Sequence, residues 1–227
     1  MEEEAFKHAR EALVREGIEG RGVTDPIVLK AMLEVRRHLF VPQEIRHLAY
    51  ENRPQSIGYQ QTISQPYIVA LMSEALALPL GPVEGAEVKE RRRPKVLEVG
   101  TGSGYQAAVL DAMGAEVYSI EIIEPLARRA EKLLAELGYK HVHVRVGDGY
   151  RGWPEEAPFD GIIVTAAPDQ VPEPLKEQLA EGGRLVVPVG DYYNQYLLRL
   201  TRRGDRFEQE NLGAVIFVRM TGEAEDK

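Results

Sequence analysis

Strands and helices that alternate around one glycine-rich turn predict an α/β protein with a doubly wound, mostly parallel sheet and an N-terminal helical cap. Three observations carry that prediction. Residues 96–104 read Val-Leu-Glu-Val-Gly-Thr-Gly-Ser-Gly, a buried strand that turns through glycines into a helix near Tyr105. Glu116 to Ile120 reads as a second strand and delivers Glu121 about 20 residues after the turn begins, the offset of an acid that grips ribose hydroxyls. Phe159 to Val164 is a nearly unbroken apolar run, the composition of a strand covered on both faces.

Gly100, Gly102 and Gly104 stand at alternate positions, where they permit positive φ and let a ligand approach backbone with no Cβ between. A dinucleotide loop of the G-x-G-x-x-G type, counted from Gly100, requires glycine at position 105, and this chain has Tyr105. A nicotinamide-dependent dehydrogenase therefore ranks last. With Glu98 inside the strand ahead of G-x-G-x-G, the stretch resembles motif I of the class I S-adenosylmethionine-dependent methyltransferases.

Bulk composition narrows the classes further. The 227 residues suffice for one α/β domain and an appended segment, and 44% apolar with 28% charged residues is ordinary for a globular chain. No apolar run approaches the ~20 residues of a membrane helix, so no membrane partner is expected. A net charge of −8 disfavours broad capture of nucleic acid. Cysteine is absent, which excludes disulfides, thiolate metal sites and cysteine nucleophiles and leads to the expectation of a cytoplasmic protein. His141 and His143 share a strand face without a third ligand, so no metal is expected. A monomer is expected.

In chain order, Glu3 to Glu16 carries Phe6, Ala9, Leu13 and Val14 at helical spacing. Thr24 and Asp25 supply N-cap chemistry for a second helix with Pro26 in its first turn, running to Val35. Gln43 to Glu51 reads as a short third helix, and no sheet signal precedes residue 57. Residues 1–60 are thus expected to form the helical cap. Residues 61–93 comprise a polar loop, a helix over Tyr67 to Leu78 and an exposed connector over 79–93 in which Arg91 to Arg93 read as a solvated charge run. Residues 94–220 form the α/β domain. Its later elements are a helix from Pro125 to Leu137, a strand from Val142 to Val146, a helix from Val171 to Ala180, and a strand from Gly182 to Gly190. Two final strands, Gln195 to Thr201 and Leu212 to Val218, join through Gly204 and Asp205. Residues 221–227 form the tail, expected to fray from Gly222 onward.

Two stretches carry candidate chemistry beyond the glycine turn. Gly147-Asp148-Gly149 ends a strand, and Asp148 can accept from the exocyclic amine of adenine; a tight turn is the alternative. Thr165, Ala166 and Ala167 place small side chains at the carboxyl edge of the sheet. Ahead of the apolar helix, residues 54–66 read Pro-Gln-Ser-Ile-Gly-Tyr-Gln-Gln-Thr-Ile-Ser-Gln-Pro, a polar loop entering a helix N-terminus. Ser64 as a plain helix N-cap, with Pro66 in the first turn, is the alternative there.

With the glycine turn, the Thr62-Ile63-Ser64-Gln65-Pro66 run resembles the protein-L-isoaspartate (D-aspartate) O-methyltransferase family, over residues 50 to 220 strongly and more loosely before them. The resemblance implies a Rossmann-like methyltransferase fold. It implies methyl transfer from S-adenosyl-L-methionine, with S-adenosyl-L-homocysteine as product, to the free α-carboxyl of L-isoaspartyl residues in damaged proteins and peptides, and it leaves D-aspartyl acceptors open. Ser64 is then the catalytic residue, orienting the substrate carboxylate, with Thr62, Ile63, Val189 and Gly190 also on the substrate. The donor falls to Gln61, Thr62 and Ile63 from the loop, Glu98, Gly100, Thr101, Gly102 and Gly104 around the glycine turn, and Glu121 and Ile122 at the ribose. Asp148, Gly149 and Thr221 complete the adenine side, although Met220-Thr221-Gly222 departs from the family's pattern. A class I methyltransferase acting on a small molecule or RNA shares Glu98 to Gly104 and Glu121 but has no reason for Thr62 to Pro66. A non-catalytic adenosine-binding module would bind donor and product and transfer nothing.

Overall fold

The computed structural model describes residues 2–80 and 92–226. The connector expected over 79–93, with Arg91, lies largely outside them. Arg92 and Arg93 do not form a freely solvated run: Arg92 grips both carboxylate oxygens of Asp160 at 2.8 Å, and Arg93 donates to Asp111 and to the Ala115 carbonyl.

The first helix, α1 (Glu2–Ala12), is shorter than the spacing predicts, because the chain passes into a π-helical stretch, Leu13–Ile18, that turns Leu13, Val14 and Ile18 inward. Helix α2 (Pro26–Glu34) starts where the sequence places it. Asp25 caps it by accepting from Ile27 N–H at 2.8 Å, and Pro26 sits in the first turn, where a missing N–H costs nothing. The expected third helix is a 3₁₀ segment, Gln43–Leu48.

The polar loop is a β-hairpin. Strands β1 (Gln55–Gly58) and β2 (Gln61–Ile63) pair antiparallel, starting ahead of residue 57. Tyr59 and Gln60 occupy the tip at φ 53° and 58°, the left-handed geometry that a two-residue hairpin turn demands, and non-glycine residues adopt it at a cost. The hairpin escapes periodicity reading because three- and four-residue strands are too short to alternate visibly. Arg129 ties it to the domain by donating to the Ile57 carbonyl at 2.8 Å.

Helix α3 (Pro66–Ala75) leads toward the connector. Then follow β3 (Lys95–Val99), α4 (Tyr105–Met113), β4 (Glu116–Glu121), α5 (Glu124–Leu137), β5 (Val142–Val146) and β6 (Phe159–Val164). Helix α6 (Glu173–Glu177) is half the length expected, because Leu179 already belongs to β7 (Leu179–Gly190). β8 (Gln195–Arg203) and β9 (Arg206–Val215) complete the sheet, the last strand starting and ending earlier than its apolar residues suggest. Much of β9 is exposed, so burial does not mark its bounds. The tail does not fray: Gly222–Asp226 is a 3₁₀ turn with Ala224 buried.

The seven strands lie in the order β5-β4-β3-β6-β7-β8-β9, parallel except for the antiparallel β7-β8-β9 meander. Alternate residues serve opposite faces: Val96, Ile163 and Val186 pack with α2 to α5, and Leu97, Ile162 and Leu185 pack with α6 and the tail. The chain winds outward from β3 to β5, then returns to β6 on the other side of β3. Strands β3 and β6 therefore flank the point where winding direction reverses, where a crevice opens at the carboxyl ends.

Candidate functional site

That crevice holds about 840 Å³ of atom-free space including its mouth, within the range of small-molecule sites. Its floor is the turn after β3. Gly100, at φ +97°, has no room for a side chain, since a Cβ would run into Thr165 Oγ1 from the end of β6. Thr165 fixes the two strand ends together by donating to the carbonyls of Val99 at 3.1 Å and Gly100 at 2.7 Å. Gly149 is equally constrained, because a Cβ there would strike Val99.

Two carboxylates reach the crevice. Glu121, at the end of β4, accepts from Gly102 N–H at 2.8 Å with one oxygen and from Ile123 N–H at 2.9 Å with the other. It thereby shapes the glycine turn as well as facing the cavity. Glu98 is completely buried, and its Oε2 lies 2.5 Å from Ser119 Oγ, which in turn lies 2.5 Å from Thr101 Oγ1. Among the described residues its Oε1 has no partner. Burial, opposed by the Ser119 hydrogen bond, pushes the Glu98 carboxyl up to about 8. An unpartnered acid atom in a polar niche is a waiting acceptor for a cationic or N–H group.

The hairpin forms the roof. Gln61, Thr62, Ile63 and Ser64 all line the crevice. The N-cap of α3 is Gln65, not Ser64, and it makes no side-chain capping bond. Among the described residues, Ser64 Oγ has no hydrogen-bond partner. The role of cap falls to Asn52, which no local pattern marks: its Oδ1 accepts from Tyr67 N–H at 3.0 Å while its Nδ2 donates to the Gly17 carbonyl at 2.8 Å.

A second cleft, with about 1250 Å³ of atom-free space including its mouth, adjoins the first, and Thr62, Ser64, Thr165 and Val218 line both. Ser64 thus stands at their junction.

Of the expected site residues, the crevice gathers Gln61, Thr62, Ile63, Ser64, Glu98, Gly100, Thr101, Gly102, Glu121, Ile122, Gly149 and Thr221. Four do not line it. Gly104, at φ +85°, begins α4 and packs beneath Leu134. Asp148 turns its oxygens to Tyr150 N–H at 2.9 Å and Glu223 N–H at 2.8 Å, capping the following turn and anchoring the tail. Val189 and Gly190 line neither cavity; Gly190 closes against Asn194 at the base of the β7–β8 loop. Tyr105, Gln106 and Ser103 line the crevice unforeseen, since their apolar and polar types match any helix start.

Comparison with known proteins bears directly on this architecture. The family model described as Protein-L-isoaspartate(D-aspartate) O-methyltransferase matches residues 8–225. The chain belongs to this family. It is 51% identical to the protein-L-isoaspartate O-methyltransferase of Dictyoglomus thermophilum, over 96% of this chain and 93% of that one. With that of Gloeobacter violaceus it shares 53% identity over 93% of this chain and 98% of the relative. A solved structure described as a protein-L-isoaspartate O-methyltransferase superposes with a TM-score of 0.78 at 30% identity, covering 95% of this chain and 67% of that one. A Plasmodium falciparum structure in complex with S-adenosyl-L-homocysteine has the same fold, with a TM-score of 0.74 at 24% identity over 95% of this chain and 97% of that one. The doubly wound sheet and helical cap are therefore the family's fold.

Proposed function

We propose that this protein repairs damaged proteins by methylating the free α-carboxyl of L-isoaspartyl residues, with S-adenosyl-L-methionine in the crevice and the acceptor in the adjoining cleft. The observation that carries the site assignment is Ser64: a hydroxyl with no hydrogen-bond partner among the described residues, at the junction of the two cavities. When bound, the donor supplies a sulfonium methyl group; the carboxylate oxygen forms the new O–C bond as the S–C bond breaks, and sulfur keeps the electron pair as a neutral thioether.

No residue is needed to generate the nucleophile. A terminal-type α-carboxyl has an ordinary pKa of about 3.5 and is ionised near neutral pH. The reaction cancels an anion against a cation, so bulk water, which solvates both, opposes it, and a closed site with fixed dipoles favours it. Ser64 donates from Oγ to one carboxylate oxygen and aims the other at the methyl group, while the Thr62 and Ile63 backbone closes the roof.

Glu98 Oε1 receives the donor's α-ammonium, and Gly100, Thr101 and Gly102 bring backbone against its methionine part. Glu121 keeps lone pairs for the ribose hydroxyls beyond its two backbone bonds. Ile122 and Gly149 flank the base, with Thr221 at its edge; Asp148 reaches adenine only through a lone pair left over from its tail contacts. Among the described residues no helix is long and apolar enough to cross a membrane. We assign the work to a cytoplasmic monomer, a setting that the cysteine-free composition fits.

The deciding test is methyl transfer from labelled S-adenosyl-L-methionine to paired peptides differing only in one L-isoaspartyl or L-aspartyl residue. The expected result is label on the isoaspartyl peptide alone, lost as the ester collapses. Tight donor binding with label on neither peptide would overturn the repair reading and leave an adenosine-binding module.

A further inference from the structure

The second cleft has a chemical character that the methyl-transfer reaction does not require. Among the described residues its lining holds no Asp, Glu, Lys or Arg side chain, in a chain that is 28% charged. Instead its rim carries apolar and aromatic groups turned to solvent: Tyr193 is 87% exposed, Ile216 91% and Tyr196 47%. Tyr192 braces Tyr193 edge to face, with ring centroids 5.3 Å apart.

The walls are held in place. In the β7–β8 loop, Asp191 Oδ1 accepts from Tyr193 N–H and Asn194 N–H, both at 2.7 Å. These backbone donors also hold the Asp191 carboxyl below its usual range. Across the cleft, buried Gln195 extends the sheet with its side chain: Oε1 accepts from Phe217 N–H at 2.6 Å, and Nε2 donates to the Phe217 carbonyl at 3.2 Å. Ile216 is thus presented outward on a fixed backbone. Exposed apolar groups on rigid supports lose little freedom when covered, which is the make-up of a recognition surface.

We infer that Tyr193, Tyr196 and Ile216 grip the peptide beside the isoaspartyl residue and make an uncharged aromatic or aliphatic neighbour the preferred flank. This rests on the proposed function, because the occupant is that reaction's acceptor. The cleft opens onto Ser64 and Thr62, so a peptide whose α-carboxyl reaches Ser64 continues into it. A charged flank entering the cleft would surrender hydration and find no counter-charge among the lining residues. A phenyl or isobutyl group buries apolar surface against Tyr193 and Ile216. Because backbone and apolar contact carry the recognition, many sequences are accepted, ranked by the polarity of one neighbour.

The test uses the full-length enzyme, saturating S-adenosyl-L-methionine and isoaspartyl peptides carrying Phe, Gly or Glu immediately before, then immediately after, the damaged residue. On one side the Phe peptide is expected to show a KM on the order of 5- to 10-fold below that of the Glu peptide, with similar kcat. Y193A and I216A, both at exposed positions, are expected to raise KM for the Phe peptide toward the Gly value. Equal KM for Phe, Gly and Glu on both sides overturns the inference, as does a preference that survives both substitutions. Absence of label on every isoaspartyl peptide would instead overturn the proposed function itself.

Discussion

Glu98 takes its chemistry from its surroundings more than any other residue. Its folded pKa of about 8 stands above the ordinary 4.5, so the folded ligand-free protein holds a proton there that the unfolded chain has lost. Its contribution to stability is therefore full below the ordinary value and is lost as pH rises through the window from 4.5 to about 8. Denaturant midpoints of the ligand-free protein are expected to fall across that window more steeply than those of Glu98→Gln. A donor ammonium at Oε1 favours the carboxylate, so donor binding near neutral pH should release about one proton. Calorimetry in buffers of different ionisation enthalpy reads this directly, and the release should vanish in Glu98→Gln. Ser64→Ala removes the proposed charge-assisted hydrogen bond to the substrate carboxylate and is expected to lower kcat/KM on the order of 10- to 100-fold with donor affinity retained. Wild-type turnover by that variant would deny Ser64 a part in catalysis. The sequence pointed to both residues; it could not tell that Ser64 leaves capping to Gln65 and Asn52, because that depends on where a distant asparagine comes to rest.

Among the elements, the hairpin and the glycine turn are two halves of one device. The turn needs left-handed backbone at Gly100, and Thr165 closes the space above it. Gly100→Ala is therefore expected to abolish measurable donor binding in calorimetry, while Glu121→Ala is expected to weaken it by removing the proposed ribose contact and the brace on Gly102. The hairpin is held from two directions, by Arg129 of α5 and by Asn52, which precedes β1 and accepts from Tyr67 N–H at the start of α3. Asn52→Ala breaks the side-chain bonds to Tyr67 and Gly17 and should cost about 1–3 kcal/mol in chemical denaturation. It should also raise KM for the peptide, since Ser64 then loses its fixed approach. Strong periodicity made β3, β4, β6 and α5 legible in the sequence. The hairpin, shortened α6 and displaced β9 were not, because tertiary contacts rather than amphipathic pattern set their bounds.

At the scale of the molecule, cap and sheet share one core. Ile18, Val28 and Met32 of the cap belong to the same buried cluster as Val109 and Leu110 of α4 and Val186 of β7. Cap and α/β domain are therefore expected to unfold together, in a single calorimetric transition whose van't Hoff and calorimetric enthalpies agree. Two separated transitions would contradict the shared core. The tail is bound into the same body: Glu223 donates its N–H to Asp148 and its carboxylate pairs with Arg151. Asp148 thereby serves the tail first, which its glycine-flanked sequence context does not reveal.

The sequence by itself determined the fold class, the family and most of the residues that line the crevice. Those features rest on local rules: glycine where backbone must turn tightly against a ligand, an acid at a strand end, apolar runs where a sheet is covered twice. Tertiary structure alone decided which polar atoms remain without partners. It used the oxygens of Asp148 for the tail, left Glu98 Oε1 and Ser64 Oγ open, and brought Tyr193 and Ile216 to one uncharged cleft. Hydrogen-bond satisfaction and desolvation are sums over neighbours from distant parts of the chain, so they exist only once the chain has folded.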